Sequence, residues 1–122
     1  MKKLNIYKKN NSLDKIYKYF KFNPVEFGLS KKKFKAFKKQ RESLFHDHLK
    51  IQLSSFQNKS LLEFGPANGE KTLIYLEQGA NITAVEPNKD FIRIFKNRIK
   101  KKNFKINIKN KYIENFVTKK KF

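Results

Sequence analysis

The chain has 122 residues, of which 39% are hydrophobic, so it is long enough for one hydrophobic core and too short for two. It contains no cysteine, which excludes disulfides and thiolate metal sites. The formal net charge is +20, but only Arg41, Arg93 and Arg98 are arginine, the residue best suited to bidentate recognition of bases and phosphates. We therefore expect any attraction to nucleic acid to be weak, non-specific and sensitive to salt.

Residues 1 to 59 are predicted to form a basic helical cap. Apolar periodicity predicts a first helix over Ser12–Phe22, which Asn23 and Pro24 would end. Ser30 is placed to cap a longer second helix, whose other face is rich in lysine and is best explained as a solvated surface. The apolar positions of this second helix are Phe34, Phe37, Leu44, Phe45 and Leu49.

Two features of this cap concern other kinds of site. His46 and His48 are two residues apart, so on a helix they point to different faces, and without further ligands at a suitable spacing we expect surface histidines and no metal site. No stretch approaches the roughly 20 apolar residues that span a bilayer, and the lysine-rich start lacks the apolar core of a signal peptide. We expect a cytoplasmic protein without a membrane segment.

From Ser60 onward, short apolar runs alternate with helical stretches, which is typical of a βαβαβ unit and an α/β fold with a parallel sheet. Asn88 stands where a helix N-cap is expected, and Gly79 where a helix C-terminus is expected. The predicted strands are Ser60–Phe64, Ile82–Glu86 and Phe104–Ile108, and the predicted helices are about Glu70–Gln78 and Lys89–Lys101.

The segment between the first strand and its helix carries the chemistry. Gly65 and Gly69 remove side chains from a turn at the carboxyl end of a strand, where open α/β sheets bind their ligands, and Ala67 obstructs little. Glu86 follows Gly69 by 17 residues, at the end of the second strand, where a carboxylate can accept the hydroxyls of an adenosine ribose.

A dinucleotide site begins in the same way and has to be compared with this reading. Its third glycine position is occupied here by Glu70, and a pyrophosphate at the helix start would lie near the negative charges of Glu63 and Glu70. A cofactor that carries an ammonium and a sulfonium and no phosphate suits these carboxylates better. Charge therefore favours S-adenosylmethionine (SAM) over a nicotinamide dinucleotide.

The segment Glu63–Gly69 resembles motif I of the class I SAM-dependent methyltransferases, with Ala67 in the place of the middle glycine. Residues 82–88 resemble the second strand of that family and its acidic end. The resemblance implies a Rossmann-like methyltransferase fold in which Glu63 helps to hold the methionine ammonium and Glu86 binds the ribose. It also implies a cofactor-binding set made of Glu63, Gly65, Pro66, Ala67, Gly69, Glu86, Pro87, Tyr112 and Ile113, with Tyr112 or Ile113 near adenine.

The resemblance covers residues 60–122 and implies that they form only the first half of a SAM-binding domain, truncated at its C-terminus. We expect about 80 to 150 further residues downstream, beginning with an acidic residue and an apolar strand. Without them, the isolated unit is expected to be marginally stable and prone to self-association. Neither the methyl acceptor nor a catalytic residue is assigned. The alternative is a non-catalytic basic protein that binds RNA or an acidic partner.

Overall fold

The computed structural model describes residues 30–122, so the predicted helix at Ser12–Phe22 lies outside the described residues. The helices of the described part are α1 (Lys31–Ser43), α2 (Glu70–Glu77) and α3 (Lys89–Lys101), and its strands are β1 (Ser60–Phe64), β2 (Asn81–Val85) and β3 (Asn107–Lys109). A π-helical turn (Leu44–His48) extends α1, and short 3-10 turns occur at Leu53–Phe56 and Ile113–Asn115.

The three strands form one parallel sheet in the order β1, β2, β3. Leu61 lies opposite Ile82 in the β1–β2 pair, and Ala84 lies opposite Ile108 in the β2–β3 pair. The central strand is buried from Ile82 to Val85, whereas β1 and β3 form the two edges. This arrangement confirms the predicted α/β class and the parallel βαβαβ order.

The helices pack with the sheet in two apolar clusters. Leu73 and Leu76 of α2 and Phe95 and Ile99 of α3 pack in one cluster with Ile82 of β2. A second, adjoining cluster joins Phe37 of α1 to Leu53 and Ile74. The cap helix is thus tied to the α/β unit through apolar contacts.

An ionic contact links the same three helices. Glu77 of α2 accepts hydrogen bonds from Lys38 of α1 at 3.0 Å and from Lys102, which follows α3, at 2.8 Å. Partial burial opposes ionisation, but the hydrogen bonds and charges of Lys102 and Lys38 outweigh it and lower the pKa of Glu77. One carboxylate therefore lies between two ammonium groups that belong to different parts of the chain.

The predicted helix caps are confirmed. The Ser30 hydroxyl accepts the N–H of Lys33 at 3.2 Å, and the Asn88 side chain accepts the N–H groups of Asp90 and Phe91 at 2.9 and 3.1 Å. Each contact satisfies donors that a helix leaves unpaired in its first turn. Gly79 follows the last residues of α2 with φ +83°, a left-handed conformation typical of a helix C-terminus.

The structure differs from the sequence prediction at the end of the cap helix. Leu44 and Leu49, which were predicted as apolar positions of a continuous second helix, are 39% and 54% exposed. The regular helix ends at Ser43 and continues as a π-helical turn, whose wider winding changes the phase of the following side chains. Phe45 instead packs edge-on against Phe56 and Tyr75, with ring centroids 5.6 and 6.0 Å away.

The second and third strands also differ in their bounds. β2 runs from Asn81 to Val85, one residue earlier than predicted, and β3 begins only at Asn107. The Phe104 N–H donates to Ile99 O at the end of α3, so this part of the predicted strand belongs to the helix exit. No helix within residues 30–122 is long and apolar enough to cross a membrane.

Candidate functional site

The loop from β1 to α2 has an unusual backbone. Gly65, Ala67 and Gly69 have φ values of +67°, +51° and +85°, so every second residue of the loop is left-handed. Glycine adopts this conformation freely, whereas a residue with a Cβ is strained there by about 1 to 2 kcal/mol. The spacing of the glycines therefore has a backbone reason, and Ala67 carries the strain that a middle glycine would avoid.

The two glycines of this loop have different surroundings. The Gly65 N–H donates to Val85 O at 2.9 Å, which fixes the loop to the end of β2, and a Cβ at Gly65 would meet no atom within 4 Å. A Cβ at Gly69 would lie only 2.0 Å from the ring of Phe95 on α3. Gly65 thus borders open space that a ligand could enter, whereas Gly69 allows α2 and α3 to pack closely.

Glu86 braces the loop from the end of β2. Its carboxylate accepts the N–H of Ala67 at 3.0 Å with one oxygen and the N–H of Asn88 at 2.8 Å with the other. The residue is only 5% exposed. Each carboxylate oxygen thus holds a backbone N–H, one in the loop and one at the N-cap of α3. The bracing contact to Ala67 was not predicted from the sequence.

Glu63 lies one strand away and contacts α2. Its carboxylate accepts the hydroxyl of Thr72 at 2.7 Å. Burial raises the pKa of Glu63, and the Thr72 hydrogen bond and the charge of Lys71 offset only part of this effect. A half-buried acid with a raised pKa beside a glycine loop is a typical feature of a functional site. That Glu63 holds a methionine ammonium stays a prediction.

A buried ion pair supports the loop from the side of the helices. Arg98 Nη1 lies 2.6 Å from Glu70 Oε1 and donates to the carbonyl of Asn68 at 2.9 Å. Burial raises the pKa of Glu70 and lowers that of Arg98, so each charge depends on the other to offset its desolvation. Sequence reasoning missed this pair because the two residues belong to different helices and form no recognisable motif.

A cleft of about 460 Å³ opens at the carboxyl ends of β2 and β3. Its wall is formed by Pro87, Asn88, Lys89, Asp90, Asn110, Lys111 and Tyr112. The Asn110 amide donates to Glu86 O at 3.0 Å and to Pro87 O at 2.8 Å, which joins the two sides of the cleft. Asn110 was not among the predicted site residues, because an asparagine after a short strand is indistinguishable from an ordinary turn residue.

The predicted site residues are thus distributed over two adjoining places. Pro66 is buried in the loop, and its carbonyl accepts the N–H of Gly69 at 2.9 Å. Pro87 and Tyr112 line the cleft, with Tyr112 37% exposed. Ile113 is 61% exposed and is not part of the cleft wall.

The histidines of the cap lie on its surface. His46 Nδ1 is 2.9 Å from the carboxylate of Asp47, and both side chains are largely exposed. The hydrogen bond from Ser43, followed by that from His46, lowers the pKa of Asp47. Within residues 30–122, no three potential metal ligands lie together.

Neither a protein-family model nor a curated protein sequence matches the chain. The chain does match solved structures. A SAM-dependent methyltransferase from Clostridium acetobutylicum covers 92% of the chain with a TM-score of 0.53 and 15% identity, and the match takes up 40% of that protein. A putative RNA methyltransferase from Pyrococcus horikoshii covers 66% of the chain and 38% of its own length, with a TM-score of 0.53 and 16% identity.

Protein arginine methyltransferase 10 from Arabidopsis thaliana covers 67% of the chain and 24% of its own length, with a TM-score of 0.54 and 19% identity. The chain therefore spans at most 40% of the length of these three relatives. The likeness confirms the predicted fold class: the described residues form part of the Rossmann-like fold of class I SAM-dependent methyltransferases.

Proposed function

We propose that the chain binds SAM at the β1–α2 loop and the adjoining cleft, and that residues 60–122 are the cofactor-binding half of a methyltransferase. One observation carries this proposal: the left-handed loop leaves open space at Gly65, beside the buried carboxylate of Glu86. The fold shared with SAM-dependent methyltransferases supports it. We also propose the cytoplasm as its compartment.

The residues of the site suit this cofactor. A carboxylate such as that of Glu86 accepts hydroxyl donors, and a cleft of about 460 Å³ falls within the range of about 300 to 1,000 Å³ typical of small-molecule sites. Pro87 and Tyr112 offer it apolar and aromatic surface. The carboxylates of Glu63, Glu70 and Glu86 lie at or beside the loop, and their negative charge favours a cationic ligand over a pyrophosphate. When bound, SAM supplies an electrophilic methyl group.

The contribution of this chain is binding and orientation. Gly65 would allow the ligand to approach the backbone, and Glu86 would fix the ribose while it braces the loop through Ala67. Methyl transfer depends mainly on placing the acceptor in line with the methyl group, so a catalytic side chain is not required in this half. We assign no residue of the chain to the acceptor.

The test is calorimetric titration of the full chain with S-adenosylhomocysteine, which has the same adenosine and amino acid groups. Gly65→Ala is the informative variant, since its methyl group would project into the open space. Gly79→Ala is the matched control, because φ is +83° there and a Cβ would meet only Gln57, at 3.5 Å. Both variants carry similar backbone strain, but only the first lies at the proposed site.

We expect the parent chain and Gly79→Ala to bind, and Gly65→Ala to bind at least tenfold more weakly, which corresponds to about 1.4 kcal/mol. Circular dichroism establishes that both variants remain folded. Equal affinity of the two variants would remove Gly65 from the site. A folded parent chain without measurable binding would contradict the proposed function.

A further inference from the structure

Charge is unevenly distributed along the α/β part of the chain. Residues 60–90 contain five acidic residues and two lysines, whereas residues 91–113 contain nine basic residues and no acidic one. A genome-wide preference for lysine codons acts on the whole chain, so it does not explain why the two signs of charge separate within 54 consecutive residues. The position of the positive charge therefore requires a local reason.

Three of these nine cations have carboxylate partners in the structure. Arg98 pairs with Glu70, Lys102 with Glu77, and Arg93 more loosely with Asp90 at 3.6 Å. The remaining six are exposed and make no ion pair with a carboxylate of residues 30–122. They are Lys96, Lys100, Lys101, Lys105, Lys109 and Lys111.

Three of the six converge on one cleft. Lys96 and Lys100 stand one turn apart on α3, and Lys105 lies on the approach to β3; all three line a cleft of about 610 Å³ between these elements. The amide side chains of Asn103 and Asn107 add polar groups to its wall, and the rest of the wall is apolar: the half-buried Phe104, Ile99, Ile106 and Ile108. We call this feature the α3–β3 cleft.

We propose that the α3–β3 cleft binds single-stranded RNA. Lysine ammonium groups bind phosphates as point charges, and an aromatic ring beside them offers a surface on which a base can stack. Amide side chains both donate and accept hydrogen bonds, as contact with a ribose 2′-hydroxyl requires. The inference goes beyond cofactor binding and does not depend on it.

The chemistry of the cleft favours RNA over an acidic protein. Its three lysines line the same cleft as an aromatic ring and two amides, a combination that suits the phosphates, bases and sugars of one strand. The lysine face of α1 differs in charge: Lys38 is paired with Glu77, and Glu42 and Asp47 add negative charge to the same segment. The α1 face therefore provides a control surface of similar lysine content.

The test compares two triple variants of the full chain in fluorescence anisotropy with a labelled oligouridine of twelve nucleotides. The site variant is Lys96→Gln, Lys100→Gln and Lys105→Gln. The control variant removes the same charge from α1, through Lys32→Gln, Lys35→Gln and Lys39→Gln, at exposed positions that make no ion pair with a carboxylate of residues 30–122. Circular dichroism checks that each variant is folded.

Loss of three phosphate contacts should lower the slope of log affinity against log salt by about 2, and weaken binding on the order of 100-fold at about 50 mM salt. We expect this from the site variant and a several-fold smaller loss from the control. Equal losses would show that bulk charge alone binds RNA and would overturn the proposal. Equal affinity for oligodeoxyuridine, or displacement of the RNA by polyglutamate at matched charge, would also overturn it.

Discussion

Gly69→Ala is the substitution whose cost can be worked out most directly from the structure. The new methyl group would lie 2.0 Å from Cδ2 and 2.3 Å from Cε2 of Phe95. Phe95 is fully buried, so its ring has no solvent-facing position to move into. We expect a left-handed strain of about 1 to 2 kcal/mol and an overpacking cost of about 1 to 3 kcal/mol, together about 2 to 5 kcal/mol.

Urea unfolding of the full chain, followed by circular dichroism, measures this cost. Gly79→Ala has a similar φ, and its Cβ would make only an ordinary contact with Gln57, so it should show the strain without the clash. The difference between the two variants therefore isolates the overpacking. Because single domains are stable by only about 5 to 15 kcal/mol, Gly69→Ala could leave the chain partly unfolded.

A double-mutant cycle with Phe95 measures the clash even if Gly69→Ala alone leaves the chain partly unfolded. Phe95→Leu removes the ring, so Gly69→Ala in the Phe95→Leu background should cost no more than Gly79→Ala does in the parent chain, and the cycle should show a coupling of about 1 to 3 kcal/mol. If Gly69→Ala destabilises no more than Gly79→Ala, the close approach of α2 and α3 is wrong. If the coupling is absent, the clash lies with another residue.

Three further predictions concern the loop and its acids. Glu86→Ala should weaken S-adenosylhomocysteine binding by about 1.5 to 3 kcal/mol in calorimetry, and unchanged affinity in a folded variant would exclude Glu86 from the site. Ala67→Gly should raise the free energy of unfolding by about 0.5 to 1 kcal/mol in urea, because it relieves the strain at φ +51°, and a loss of stability would argue against that backbone. The pKa of Glu63 is raised, so this residue binds more protons in the folded chain than in the unfolded chain. The free energy of unfolding therefore falls as pH rises from the ordinary pKa of a glutamate to the raised pKa of Glu63. Glu63→Gln should therefore stabilise the chain at neutral pH, and this gain should vanish on acidification below that ordinary pKa; a gain of equal size at both pH values would refute the assignment.

The fold could be predicted closely where local signals coincide. β1 is predicted to the residue because an apolar run meets Gly65, and α3 because Asn88 caps its start and its last turn is basic. The β3 boundary could not be predicted, because whether Phe104 joins a strand or the helix exit depends on its hydrogen bond to Ile99. The amino-acid sequence around Phe104 does not distinguish a strand from a helix exit.

The candidate site was predictable in its residue types and less so in its contacts. The glycine spacing indicated the loop, and the acid at the end of β2 indicated Glu86. Two sets of contacts depend on how three segments meet in space. They are the hydrogen bond from Ala67 to Glu86 and the hydrogen bonds from Asn110 to the carbonyls of Glu86 and Pro87. The π-helical turn was equally hidden, since its sequence continues the apolar pattern of α1 and only packing around Phe45 distinguishes the two windings.

The position of Glu77 between Lys38 and Lys102 makes the attachment of the cap helix responsive to acid. Above the ordinary pKa of the carboxyl group, the charge of Glu77 attracts both ammonium groups. As pH falls through the lowered pKa, the carboxylate becomes neutral, and the two ammonium groups lose the negative charge between them. The ammonium groups of Lys38 and Lys102 then repel each other where α1 meets the α/β unit. Acid should therefore weaken the attachment of α1, which the apolar cluster of Phe37, Leu53 and Ile74 continues to hold.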